Sequence, residues 1–282
     1  MNALPSITGN TRLYAIVGDP IEQVRSPEVY CHELARAGID AVLVPVHIAA
    51  GDVRAVLPAL LKLRNLDGVL VTAPFKADAL AIADAVHPRA RRAGAVNALR
   101  READGQWFGD MFDGEGFVRG LARKARKVAG ASAFVAGCGG VGSAIAASLA
   151  KAGVARLGLH DAFPASMNAL AERLKSHYPK LEVVTGSADP AGYAIVVNAT
   201  PLGMKKDDPL PIDVDRISPS AFVGEVVMKE EITPFLAAAR GKGCDYQVGT
   251  DMLFEQIPAY LEFFGLGTTT ADELRSLARI HY

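Results

Sequence analysis

Between positions 128 and 150 the chain carries no charged side chain, yet glycines stand at 130, 137, 139, 140 and 142, with Ser132, Ser143 and Ser148 among them. An apolar stretch of that length would cross a bilayer, but a glycine cluster at its centre makes a poor helix. The stretch reads instead as a short buried strand, a glycine turn and a helix of small residues. Ala136-Gly137-Cys138-Gly139-Gly140-Val141-Gly142 holds the spacing G-x-G-x-x-G at 137, 139 and 142. Between a strand and a helix this spacing makes a dinucleotide site. Gly137 permits the tight turn, Gly139 lets a pyrophosphate approach the backbone, and Gly142 brings helix and strand together, with the helix N-terminus facing the phosphates. The next strand, expected over 156–160, is followed by Asp161, nineteen residues after Gly142. A carboxylate there accepts hydrogen bonds from both ribose hydroxyls and repels a 2′-phosphate, so NAD is expected in preference to NADP. Its plainer role is to cap the helix beginning near Pro164.

Around this turn the chain alternates β-like and helical runs. Strands are expected over 13–18, 41–48 and 68–72, with helices over 28–37 and 53–62 between them, and a hairpin over 94–100 and 105–112 turning at Asp104-Gly105. After the basic segment 120–127 a second series offers strands over 132–136, 156–160, 181–185, 194–198, 221–227 and 245–248, then helices over 252–260 and 271–279. Strand–helix alternation implies mainly parallel sheets covered by helices. At 282 residues the chain has room for two domains. The first is expected over 1–118, an α/β substrate domain to which the last helices, 250–282, return. The second, a Rossmann domain, is expected over 119–249.

Thirty Lys and Arg against 31 Asp and Glu leave a net charge of −1, which draws in neither nucleic acid nor an anionic membrane. The cationic runs at 89–92 and 123–127 read as solvated helix faces. Cys31, Cys138 and Cys244 form no CxxC pair, and MNALPSITGNTR lacks the apolar core of a secretory leader, so a reducing cytoplasmic compartment is expected. The six histidines show no H-x-x-H spacing, so no metal site is expected, and no G-x-S-x-G frame supports a hydrolase.

In the first half, Val71-Thr72-Ala73-Pro74-Phe75-Lys76 runs from a strand into a loop, where a lysine can face a ligand crevice. Asp113 sits in the turn Asp110-Met111-Phe112-Asp113-Gly114. Each alone is ordinary: a solvated lysine, a turn-forming acid. Together they join a longer ordered set. It comprises Gly18-Asp19-Pro20-Ile21 with Arg25-Ser26-Pro27, Gly94-Ala95-Val96-Asn97, Asn198-Ala199-Thr200-Pro201-Leu202-Gly203-Met204, Thr233-Pro234, and Gly249-Thr250-Asp251-Met252-Leu253 with Gln256. This set resembles the shikimate/quinate dehydrogenase family over nearly the whole chain. The resemblance implies hydride transfer between a nicotinamide and a ring carbon bearing a hydroxyl or ketone, an activity of class EC 1.1.1.-. It implies Lys76 and Asp113 as the catalytic pair, since oxidation must remove a hydroxyl proton and a buried amine can exchange one. It places Ser26, Thr72, Asn97 and Gln256 against the substrate. Along the cofactor it places Gly140, Val141, Asn198, Thr200, Pro201 and Gly249 beside the motif glycines. The implied partner is a small cyclic polyol or shikimate-like compound, bound by a monomer or homodimer.

The departures from the family pattern carry information. Val24 stands where the first of two serines is usual, Leu70 where an asparagine is, and Met228 where a tyrosine is; Met111 and Phe112 replace Asn and Thr, and Tyr30-Cys31 replaces His-Asn. In the family, positions 24, 70 and 228 lie around the substrate carboxylate. An anion without donors carries a desolvation cost that lost methylene contacts do not match. Retained redox chemistry with altered recognition of the carboxylate end is therefore expected. Authentic shikimate or quinate oxidation is the alternative, and a dinucleotide-binding regulator without turnover is a further one.

Overall fold

A computed structural model describes residues 7–277 of the chain. They form two compact units. The first holds the chain through Arg91, Ala95–Phe112, and the part from Gln256 onward; the second holds Arg92–Gly94 and Asp113–Glu255.

The first unit contains β1 (Arg12–Gly18), α1 (Ser26–Arg36), β2 (Ala41–His47), α2 (Val53–Leu60), β3 (Leu66–Val71), α3 (Lys76–Ile82), β4 (Ala85–Val86), α4 (Pro88–Ala93, whose last residues belong to the second unit), β5 (Ala98–Arg101) and β6 (Trp107–Asp110). Its sheet runs β2-β1-β3-β5-β6-β4. β1 is parallel to β2 and β3, and β4 to β6, while β5 is antiparallel to both β3 and β6. The two antiparallel ladders come from the hairpin, whose turn at Asp104-Gly105 has Gly105 at φ +88° and the Gln106 N–H on Asp104 Oδ1 at 3.0 Å. β3 begins two residues before the expected run: Leu66 pairs with Leu13, Gly68 with Tyr14, and the polar Asp67 between them falls at a bulge in the ladder.

The second unit contains α5 (Asp113–Arg123), β7 (Ser132–Ala136), α6 (Gly140–Lys151), β8 (Arg156–His160), α7 (Pro164–His177), β9 (Glu182–Val184), β10 (Ile195–Asn198), β11 (Phe222–Glu225), α8 (Pro234–Gly241), β12 (Asp245–Gln247) and the start of α9 (Gly249–Phe263). The sheet order β12-β11-β10-β7-β8-β9 is parallel throughout, the doubly wound pattern of a Rossmann fold. Buried Ile145, Leu149, Leu157, Leu159, Leu170 and Ile195 fill one face, and Phe134, Val196, Val223 and Phe235 the other.

The units divide after Phe112, not after 118, because the whole of α5 packs on α6. Gly114 lies so close to the Ala144 carbonyl that a side chain there would overlap it. For the chain's return, 250–255 belong to the second unit, and the first regains the chain from Gln256 to α10 (Ala271–Leu277). Residues 278–282 of the expected last segment lie outside those described, as do 1–6.

Candidate active site

In the first unit, backbone hydrogen bonds bring the segments of Thr72, Lys76 and Asn97 together where β3 ends. The Thr72 N–H donates to the Val17 carbonyl at 2.9 Å, and the Phe75 N–H returns to the Thr72 carbonyl at 3.1 Å, a tight turn that starts α3 at Lys76. The Thr72 methyl lies over Gly18, where a Cβ would overlap it. Lys76 is only 6% exposed, unusual for a lysine. Its carbonyl accepts the Val96 N–H at 2.9 Å, while Asn97 accepts the Val71 N–H at 2.8 Å and donates its own N–H to the Asp110 carbonyl at 2.9 Å.

The Asn97 side chain is fully buried, with Nδ2 donating to the Tyr260 hydroxyl at 2.6 Å and Oδ1 accepting the Phe112 N–H at 3.0 Å. Gln256 lies buried one helical turn before Tyr260 on α9. Ser26 opens α1 and is half-buried, as is Val24, whose N–H donates to the Ile21 carbonyl at 3.2 Å. Leu70 is 3% exposed within β3, opposite Ile16 of β1 and Ala98 of β5.

The second unit holds Asp113, buried at the start of α5, and the expected cofactor residues. Gly137 has φ +96°, and a Cβ there would stand 2.6 Å from the Ala199 carbonyl. A Cβ at Gly142 would overlap the Gly137 carbonyl oxygen, whereas at Gly139 nothing lies within 4 Å. The turn is thus closed on its protein side and open at Gly139, where Gly140, Val141 and Gly142 begin α6 with N–H groups lacking intrahelical acceptors. These residues fit the pyrophosphate of a dinucleotide.

Asp161 braces this turn: Oδ2 accepts the Cys138 N–H at 2.5 Å and Oδ1 the Phe163 N–H at 2.8 Å. Burial pushes the Cys138 thiol up to about 12, so that cysteine stays protonated. Asn198 and Thr200 brace a second loop. Asn198 Oδ1 accepts both the N–H and the hydroxyl of Thr200, at 3.0 and 2.7 Å, and Nδ2 donates to the Leu202 carbonyl and to Glu225 Oε1, at 3.1 and 2.9 Å. Pro201 is exposed beyond them. Gly249 packs against the Val227 carbonyl and the half-buried Met228, with a Cβ at 249 standing 2.9 Å from Met228 Cγ.

Three residues that sequence reasoning passes over organise this machinery. Glu225, fully buried, accepts from Asn198, from the N–H groups of Val226 and Val227, and from the Thr233 hydroxyl. Its signal is a lone acid ending an apolar strand. Tyr260 carries Asn97, and Asp110 ties Arg89 to the segment before Asp113. Among the described residues no helix is long and apolar enough to cross a membrane, and no group of three or more His, Cys, Asp or Glu could hold a metal ion.

A doubly wound unit with this turn, joined to an α/β unit with a buried lysine at a strand end, defines an NAD(P)-dependent dehydrogenase acting on CH–OH groups. A family model for the shikimate dehydrogenase substrate binding domain matches residues 16–99. The shikimate dehydrogenase (NADP(+)) of Rhodospirillum rubrum is 38% identical over 277 residues, 96% of this chain and 98% of that protein. That of Acidiphilium cryptum is 37% identical over 269 residues, 95% of this chain and 96% of that protein. Shikimate dehydrogenase from Aquifex aeolicus superposes with a TM-score of 0.87 at 27% identity, over 98% of this chain and all of that one. Quinate dehydrogenase from Corynebacterium glutamicum, solved with NAD, gives 0.83 at 30% identity, over 95% of this chain and 98% of that one. The chain belongs to the shikimate dehydrogenase family.

The expected preference for NAD over NADP is overturned. Both curated relatives are named for NADP(+). The inference rested on Asp161 as a ribose ligand, and both its oxygens are engaged by backbone N–H groups of the turn.

Proposed function

We propose that this chain reversibly oxidises a ring hydroxyl of a shikimate-like compound with NADP, and recognises the substrate's carboxylate end differently from its relatives. The observation that carries the redox reading is Lys76, buried where β3 runs out and linked through the Val96 and Asn97 backbone to the end of β6. Lys76 Nζ would take the hydroxyl proton during oxidation and return it in reduction, with Asp113 holding the hydroxyl in place. Thr72, Asn97, Gln256 and Ser26 would bind the substrate. Gly139, Gly140, Val141 and Gly142 would hold the pyrophosphate, and the loops of Asn198, Thr200 and Pro201 and of Gly249 would border the rest of the dinucleotide. Bound NADP supplies the hydride acceptor for oxidation and the donor for reduction.

The altered end rests on Val24, Leu70 and Met228, which offer no side-chain donor to a carboxylate. Steady-state assays following NADPH absorbance decide both points. Lys76→Ala and Asp113→Asn should each lower kcat/KM by about 100-fold or more while NADP still binds. Shikimate and its carboxamide should differ by less than about tenfold in kcat/KM. Strict dependence on the carboxylate would instead make the chain an ordinary shikimate dehydrogenase, the reading favoured by the names of its relatives.

A further inference from the structure

We propose that Arg89 is a positioning residue for the reaction, fixing the three residues that lead the chain into Asp113; this rests on reading Asp113 as a catalytic group. Arg89 begins the cationic run 89–92, which composition alone assigns to a solvated helix face. In the structure its guanidinium turns inward. Nε and Nη2 donate to Asp110 Oδ1 and Oδ2, each at 2.6 Å, a two-pronged ion pair. The Asp110 side chain is 4% exposed and that of Arg89 26%.

The same guanidinium reaches past Asp110. Its carbon stands 4.2 Å from the centroid of the Phe112 ring. Between them, Met111 donates its N–H to Asp110 Oδ1 at 2.7 Å, and Phe112 donates its own to Asn97 Oδ1. Residues 110, 111 and 112 are therefore each held, two by the guanidinium directly and one through its carboxylate partner. The arginine is itself anchored: its N–H donates to His87 Nδ1 at 3.2 Å, and the His87 N–H donates to the Gly109 carbonyl at 2.9 Å. Asp113 follows at once, opening α5 as the chain enters the second unit.

Stability alone is a weak reason for such a pair, because well-packed apolar side chains often replace a buried ion pair at little cost. Fixed geometry is what it adds. A lysine would keep the charge but lose both the fork and the planar stack. Catalysis registers small displacements, about 100-fold in rate for a shift of about 1 Å.

The test compares wild type with Arg89→Ala, Arg89→Lys and Asp110→Asn, and includes Asp113→Asn as a reference. Hydrogen exchange is followed at the amides of Met111 and Phe112, NADP affinity by nucleotide fluorescence, and turnover with shikimate. We expect faster exchange at both amides in the Arg89 variants and kcat lowered about 10- to 100-fold, with the NADP Kd within about twofold of wild type. Millimolar methylguanidinium should restore part of the lost kcat to Arg89→Ala and leave Asp113→Asn inactive. Unchanged exchange would overturn the proposal, as would faster exchange with unchanged kcat, or a kcat loss matched by an equal loss of NADP affinity. If Arg89→Ala does not fold, Arg89→Lys and Asp110→Asn carry the same comparison. A wild type that turns over no shikimate-like compound would defeat the functional reading instead, and the exchange rates would still decide whether Arg89 holds the segment.

Discussion

The carboxylate of Asp161 accepts the N–H of Cys138, from inside the glycine turn, at 2.5 Å, and its other oxygen accepts the N–H of Phe163 at 2.8 Å. One side chain thus joins the glycine turn to the loop that starts α7. Removing it leaves two N–H groups without their charged acceptor.

Asp161→Ala should therefore lower stability by about 1–2 kcal/mol, measured by urea unfolding, with part of the cost recovered in Asp161→Asn. Because the carboxylate acts through the turn, both variants should weaken NAD and NADP binding by similar factors. Titration of each nucleotide checks this, and a loss confined to one of them would show that Asp161 acts on the ribose instead.

Glu225 poses the opposite electrostatic problem. Burial raises its carboxyl above the ordinary range, opposed by the donors of Val227, Asn198, Thr233 and Val226. A raised carboxyl contributes stability that is complete below its unfolded value of 4.5 and is lost as pH rises through the folded one. Glu225→Gln has no such titration, and its amide oxygen can keep the three bonds that Oε1 now makes. Wild type should thus lose ground to Glu225→Gln as pH is raised from 4 toward neutrality, read from urea midpoints. Glu225→Ala strands several buried donors and should cost about 3 kcal/mol or more at any pH.

Close packing governs Gly114. A Cβ there would overlap both the Ala144 carbonyl and the Ser148 hydroxyl, so α5 must move away from α6 to admit one. Gly114→Ala should cost about 2 kcal/mol or more. Adding Ser148→Gly should not restore the loss, since the backbone carbonyl remains in the way. Thermal unfolding of the single and double variants measures both effects.

Features built from neighbouring residues were legible in the sequence: the glycine turn, the hairpin at Asp104-Gly105, and the alternation of strands and helices each have their cause within a few positions. The family was legible too, through resemblance. Partnerships across the chain were not. Arg89 and Asp110 stand 21 residues apart and Asn198 and Glu225 27, with nothing local to mark either pair, so one member read as a solvated cation and the other as a cofactor contact. Asp161 shows the same limit in reverse. Its position after β8 was clear, but the bond to Cys138 that occupies it appears only once β7 and β8 lie side by side.

Asn97 and Tyr260 make the sharpest case: the family resemblance assigns Asn97 to substrate, and the structure adds a tyrosine 163 residues away as a partner of its amide. The amide is held at both ends, Nδ2 by the Tyr260 hydroxyl and Oδ1 by the Phe112 N–H, so its plane is set before substrate arrives. Tyr260→Phe removes one end and keeps the ring, which packs on Phe112 with centroids 4.9 Å apart. It should cost only about 1 kcal/mol in stability, yet raise KM several-fold with kcat little changed, because Asn97 remains but is no longer aimed. Asn97→Ala removes the acceptor of the buried Phe112 N–H and the donor to the Tyr260 hydroxyl together, so its stability loss should exceed that of Tyr260→Phe and its KM should rise further. Unfolding and steady-state kinetics on the two variants separate the roles. A raised KM in Asn97→Ala with none in Tyr260→Phe would mean that the Tyr260 hydroxyl does not orient the amide.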